Sequence, residues 1–192
     1  MRNLSFDFTG GKHEVLVLDL ETQYLSHEVS GGWEAVDKFR VAVTVTWDER
    51  DGFRPWYEND IFKLFQEADR FEPIVTFNGE GFDFKVLSGY GSVANLYQKS
   101  TDLLAVLSKK LGYRVKLESL AQATLGCGKT ACGTESVEWW RSGDPALRQK
   151  VTDYCQMDVT LTRDVYLFGR KHGYVMVDDT KSGETRRVDV SW

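Results

Sequence analysis

Residues 14–22 read EVLVLDLET. The run of β-branched and leucine side chains, entered after the Gly-Gly pair at 10 and 11, predicts a buried strand over Glu14 to Leu20 that ends at an acidic pair. Asp19 and Glu21 are two positions apart, so in a strand both carboxylates leave the same face. Side by side they repel, and a divalent cation is a common remedy. Taken alone, the pair reads more simply as a polar strand end running into solvent.

Working outward, Phe39 to Trp47 (FRVAVTVTW) alternates in part and predicts a second strand, reached across the polar connection QYLSHEVSGGWEAVDK. The turn DERDG at 48–52 leads to a third short strand near Phe53 to Tyr57, which makes an antiparallel meander. Asn59 or Asp60 caps a helix whose Ile61, Phe62, Leu64, Phe65 and Ala68 recur at helical spacing before Pro73. Ile74 to Phe77 is a fourth strand, and Gly79 and Gly81 turn the chain into a helix near Phe82 to Leu87. Helices then follow over Asp102 to Leu111 and Leu117 to Leu125, with Gly112 and Gly126 as stops, and a shorter one over Ser136 to Trp140. Pro145 opens the longest helix, which runs to about Lys171 and stops at His172-Gly173. After Tyr174, YVMVDD and RRVDVSW flank TKSGET as a short hairpin.

At 192 residues and 42% hydrophobic content, with no internal repeat or dividing linker, the chain is expected to form a single domain over 1–192, with a tail from about 174. No apolar run approaches the ~20 residues that cross a bilayer, so no membrane partner is expected. MRNLSFDFTGGKHE has neither the apolar core of a secretory signal nor the character of a transit peptide, and the expected address is the cytosol. Cys127, Cys132 and Cys155 are odd in number and lack paired zinc-site spacing, which points to free thiols.

The net charge of −5 argues against a grip on nucleic acid through bulk positive charge, but carboxylates that bind cations also count as negative. Charge is unevenly spread. Residues 1–60 carry 12 acids against 6 bases, whereas residues 109–150 carry 8 bases against 4 acids. Lys109, Lys110, Arg114 and Lys116, with Tyr113 among them, suit a phosphate backbone and a stacking base, and equally a solvated helix end and loop.

Two further constellations carry chemistry. In Asn78-Gly79-Glu80-Gly81-Phe82-Asp83 the glycines permit a tight turn and close approach of a substrate, and Asp83 begins the next helix, where it also suits the positive end of the dipole. In the long helix, Val151, Tyr154, Asp158, Leu161, Val165 and Phe168 recur three and four apart, which predicts Asp158 on the core face, one turn from Tyr154. A buried aspartate there needs a metal or an ordinary polar partner. Asp153 and Asp164 fall off the stripe and read as surface charges, and His13 and His172 as structural or surface residues.

Together LDLET, NGEGFD and YCQMD resemble, in order, the motifs of the DEDD superfamily of 3′-to-5′ exonucleases over about residues 14–170. NGEGFD is similar to the Asn-x-x-x-Phe-Asp motif of family B DNA polymerase proofreading domains, and Tyr-x-x-x-Asp matches the tyrosine (DEDDy) branch. The resemblance implies an α/β, ribonuclease H-like fold: a mixed five-stranded sheet, its first three strands antiparallel, flanked by helices. It places the fifth strand between Tyr90 and Ser100. It implies two Mg²⁺ or Mn²⁺ ions, with Asp19 bridging both, Glu21 and Asp158 completing the site of the attacking water, Asp83 serving the second ion, and Tyr154 orienting the nucleophile. Thr22, Asn78, Phe82 and Lys129 are the implied substrate contacts. The implied substrate is nucleic acid with a free 3′ end, single-stranded DNA favoured and RNA allowed, and a helicase or polymerase is a compatible partner.

Two rival readings remain. ATLGCGKT at 123–130 satisfies a relaxed phosphate-loop pattern of an NTPase, but it follows an amphipathic helix rather than a strand. The other is a catalytically silent nucleic-acid-binding domain of the same fold.

Overall fold

The computed structural model describes residues 14–127, 135–178 and 184–192. The opening run forms β1 (Leu16–Thr22), which lies at the centre of a five-stranded sheet with β2 (Val41–Asp48), β3 (Gly52–Tyr57), β4 (Ile74–Thr76) and β5 (Ser100–Asp102) in the order β3-β2-β1-β4-β5. β1, β2 and β3 pair antiparallel, whereas β4 and β5 run parallel to β1. The predicted meander and mixed α/β sheet are therefore present.

Helices cover both faces, because β1 alternates between two cores. Leu16, Leu18 and Leu20 face α1 (Ile61–Ala68) and α2 (Asp83–Ser88), where they meet Ile61, Leu64, Phe84 and Leu87. Val17 points the other way, into a second core built from α4 (Leu103–Leu111), α5 (Leu117–Leu125) and α7 (Pro145–His172). Each fully buried leucine contributes about 1.5–3 kcal/mol. By the same alternation, Asp19 and Glu21 emerge on the α7 face. Pairing runs Asp19 with Val45 and Glu21 with Val43, then shifts so that Thr22 pairs with Val41. The extra residue in β2 is a bulge, a device that commonly re-aims side chains beside a site.

α7 has unambiguous ends. Asp144 caps it by accepting from the amide of Ala146 at 2.7 Å, Pro145 fills the first turn, and Gly173 adopts the left-handed conformation that closes it. Beyond it, β6 (Tyr174–Asp178) and β7 (Thr185–Asp189) form the expected antiparallel hairpin. It docks on α5 through Thr124, whose hydroxyl donates to the Met176 carbonyl at 2.9 Å and accepts from the Met176 amide at 3.1 Å.

Two expectations need correction. The fifth strand is not between Tyr90 and Ser100, where α3 (Ala94–Gln98) lies, but at Ser100–Asp102. With three polar residues, Ser100, Thr101 and Asp102, it shows no hydrophobic alternation and is defined only by pairing with Ile74–Thr76. The buried stripe of α7 is also rotated from the predicted one, and runs through Thr152, Cys155, Val159, Thr162, Tyr166 and Gly169 as well as Val151, Leu161 and Val165. Asp158, Tyr154 and Phe168 are half-buried on its flank. The helix packs on the sheet, on α5 and on the hairpin, so small and weakly polar residues enter its contact face.

Cys155 is a buried free thiol and Cys127 an exposed one, while Cys132 lies outside the described residues. His172 packs its ring 4.4 Å from Phe168, and His13 is outside the described residues. No described helix is long and apolar enough to cross a membrane.

Candidate active site

At the end of β1 the tertiary fold gathers what the sequence holds far apart. One carboxylate oxygen each from Asp19, Glu21 and Asp158 lies within 4.8 Å of the others. All three residues are half-buried. Ser136, the first residue of α6 (Ser136–Arg141), donates its hydroxyl to Glu21 Oε2 at 2.7 Å and fixes that side chain from a third element. Tyr154 is one turn before Asp158 on α7, also half-buried.

Beneath the cluster, Cys155 donates its thiol to the Asp19 carbonyl at 3.3 Å and faces Asp19 Oδ2 at 3.5 Å. Burial pushes this thiol well above its ordinary value, and the negative charges of Asp19 and Glu21 add to the rise. It therefore stays a neutral donor, and the converging ligand set is oxygen only. Such a set fits Mg²⁺ or Mn²⁺ rather than zinc.

Asp83 begins α2 and is buried, at 4% exposure, outside the three-carboxylate cluster. Burial, with the negative charges of Asp102 and Glu21, pushes its carboxyl up to about 8, against the backbone amides at Asp83 and Leu20. Its Oδ1 has no hydrogen-bond partner among the described residues. A buried carboxylate oxygen of this kind is costly, and a cation is one group that would satisfy it.

A pocket of about 520 Å³ joins these parts, lined by Asp19, Asn78, Phe82, Asp83, Arg114 and Lys116 among others. Its turn is built for close packing. Asn78 has a left-handed backbone, with φ of 73°, and a Cβ at Gly81 would fall 2.6 Å from Asn78 Oδ1. Asp102 holds this turn, accepting from the amides of Asn78 at 2.9 Å and Glu80 at 3.1 Å while capping α4 through the amide of Ala105 at 3.1 Å. Phe82 packs edge-on against Phe39, and Trp33, 69% exposed, lies 6.1 Å from it.

Among the expected substrate contacts, Asn78 and Phe82 line the pocket, whereas Thr22 is buried and donates to the Tyr24 carbonyl at 3.1 Å. Lys129, and with it the end of the ATLGCGKT segment, lies outside the described residues. Sequence reasoning assigned no role to Ser136 or Asp102. Asp102 was signalled only as an aspartate before an apolar helix, which marks a cap and says nothing about the turn it also holds. Of the basic cluster, Arg114 and Lys116 reach the pocket. Asp153 is exposed, as expected, and Asp164 pairs with Arg163 at 2.8 Å.

A second groove, of about 590 Å³, lies beyond β1 and is lined by Gln23, Tyr57, Glu58, Trp140 and Arg148 among others. Tyr57 and Trp140 stack there, with ring centres 6.1 Å apart and 22° between planes. Trp56 is a core residue, its Nε1 donating to Thr46 Oγ1 at 2.8 Å.

No curated protein matches the chain. Among solved structures, the fold is similar to that of the family B DNA polymerase from the hyperthermophilic archaeon Pyrobaculum calidifontis, with a TM-score of 0.58 and 17% identity. The similarity covers 86% of this chain but only 25% of the polymerase, so the chain spans about a quarter of that protein's length. A family model described as the RNase H superfamily matches residues 16–167. That match runs from the start of β1 into α7, across the whole sheet and all three clustered carboxylates, and the chain belongs to the RNase H superfamily.

Proposed function

We propose that the chain is a metal-dependent 3′-to-5′ exonuclease of the tyrosine (DEDDy) branch, acting on single-stranded nucleic acid and releasing 5′-mononucleotides. The observation that carries this reading is the convergence of Asp19, Glu21 and Asp158 within 4.8 Å at the end of the central strand of an RNase H-like sheet. Three acids brought together from β1 and α7 are poorly explained as a solvated strand end. Similarity to a DNA polymerase supports nucleic acid as the substrate class.

In this reading Asp19, Glu21 and Asp158 hold one divalent ion and Asp83 serves a second, with Mg²⁺ or Mn²⁺ favoured by the oxygen ligands. Bound ions supply an activated water and relief of charge on the leaving 3′ oxygen. The protein does the positioning. Ser136 and Cys155 hold Glu21 and Asp19 in place, and the Tyr154 hydroxyl orients the attacking water. Phe82 offers a face to the terminal base and Asn78 a polar contact at the turn.

The test is incubation of 5′-labelled single-stranded DNA and RNA with the protein in Mg²⁺ or Mn²⁺. Stepwise shortening from the 3′ end is expected, lost in Asp19→Ala and Asp158→Ala proteins that still fold. If neither strand is shortened at any metal concentration, the reading is wrong. Binding without hydrolysis would mark a silent nucleic-acid-binding domain instead.

A further inference from the structure

Between α4 and α5 the chain reads Gly112-Tyr113-Arg114-Val115-Lys116. Val115 packs against the core, while its neighbours Arg114 and Lys116 are exposed and both line the site pocket. Two cations are thus displayed together on the wall of the pocket that also holds Asp19 and Asp83.

Arg114 differs from the surface arginines that pair with carboxylates. Arg40, Arg70 and Arg141 are each neutralised by a glutamate, at Glu58, Glu67 and Glu28. Arg114 instead donates to the neutral amide oxygen Asn78 Oδ1 at 2.8 Å. Among the described residues, neither Arg114 nor Lys116 has a carboxylate partner within ion-pair distance. A guanidinium has five donors, and one bond to Asn78 leaves several for an anion while fixing its aim. The same bond ties the cation to the left-handed turn that carries Phe82 and Asp83.

We propose that Arg114 and Lys116 form the subsite that grips the sugar-phosphate backbone of a single strand entering the pocket. This role builds on the nuclease reading of the same pocket. A phosphodiester is the favoured anion because the neighbouring side chains match the rest of a nucleotide. Phe82 lines the same pocket and is a side chain of the kind on which an unpaired base stacks, which a paired base inside a duplex could not reach. Lys109 and Lys110, in the last turn of α4, do not line the pocket and take no part.

The test is fluorescence anisotropy of a labelled oligodeoxythymidylate in Ca²⁺ buffer, with affinity measured across a salt series. Each of Arg114→Gln and Lys116→Gln is expected to make the log-affinity against log-salt slope shallower by about 0.7, the value for one phosphate contact on a single strand. Arg114→Lys and Lys116→Arg restore the slope. Lys109→Gln with Lys110→Gln, which removes the same charge elsewhere, leaves it unchanged. An unchanged slope in the Arg114→Gln, Lys116→Gln double variant overturns the proposal. So does an equal change from the Lys109 and Lys110 pair, or no binding by the unmodified protein. If the predicted slopes appear but the unmodified protein hydrolyses nothing in Mg²⁺, the grip stands and the nuclease reading falls.

Discussion

Replacing Asp158 by asparagine is expected to stabilise the metal-free protein while removing much of its response to Mg²⁺. Asp158 shares the end of β1 with Asp19 and Glu21, and an oxygen of each lies within 4.8 Å of the others. At 4.8 Å two like unit charges repel by about 3.5 kcal/mol at an effective dielectric of ~20, and by about 0.9 kcal/mol in bulk water. Asp158 faces two such neighbours, but all three are half-exposed and screened by salt. A net gain of about 2 kcal/mol is the reasonable scale, or roughly 4–8 °C in Tm for a chain of this size. Asparagine preserves the shape and one acceptor oxygen, so packing changes little. The assay is thermal unfolding at pH 8, first in chelator and then across a Mg²⁺ titration. Wild type should start lower and rise as the ion binds the native state, whereas Asp158→Asn starts higher and rises less. An unchanged or lower Tm for Asp158→Asn in chelator, together with a full Mg²⁺ response, would refute the idea of a strained carboxylate site waiting for a cation.

Two other perturbations probe the frame around the site. Asp102→Ala removes a buried charged acceptor serving the amides of Asn78, Glu80 and Ala105, and is expected to cost about 3–4 kcal/mol in urea unfolding, with Asp102→Asn losing less; a loss below ~1 kcal/mol would show that the turn holds itself. At Glu58, burial pushes the carboxyl up, but hydrogen bonds from Arg40, Tyr90 and Gln23 outweigh it and hold it below the ordinary 4.5. Because the folded value is the depressed one, the stabilisation is complete above 4.5 and is lost as pH falls through the folded value. Urea unfolding across that acid range should therefore decline less steeply for Glu58→Gln than for wild type, and parallel curves would count against the network.

Local patterning made much of this protein legible in advance. The alternation along Val15 to Glu21 assigns Asp19 and Glu21 to one face, and the structure places them on the face that meets α7. Gly112, Gly126 and Gly173 close α4, α5 and α7 in left-handed conformations because a residue without Cβ takes that backbone freely, and each is visible as a glycine after an apolar period. Patterning was less informative where pairing or packing, rather than side-chain periodicity, decides the outcome. β5 carries no hydrophobic signal, since three polar residues become a strand only by bonding to β4. The contact face of α7 depends on which elements surround it, so the stripe read from the apolar residues missed Thr152, Cys155 and Thr162.

By itself, then, the sequence determined the first four strands, the longer helices with their glycine stops and the shared face of Asp19 and Glu21, all set by interactions within a few residues. Only the tertiary structure decided that Asp158 is half-buried on the flank of α7 beside Asp19 and Glu21 rather than on its core stripe, that Ser136 bonds to Glu21, and that Asp102 secures the turn before Asp83. It also decided that Arg114, one of several cations in a basic stretch, is aimed at Asn78. These contacts join residues 22 to 139 positions apart, and no local periodicity encodes which distant segments the packing of two cores on one sheet will bring together.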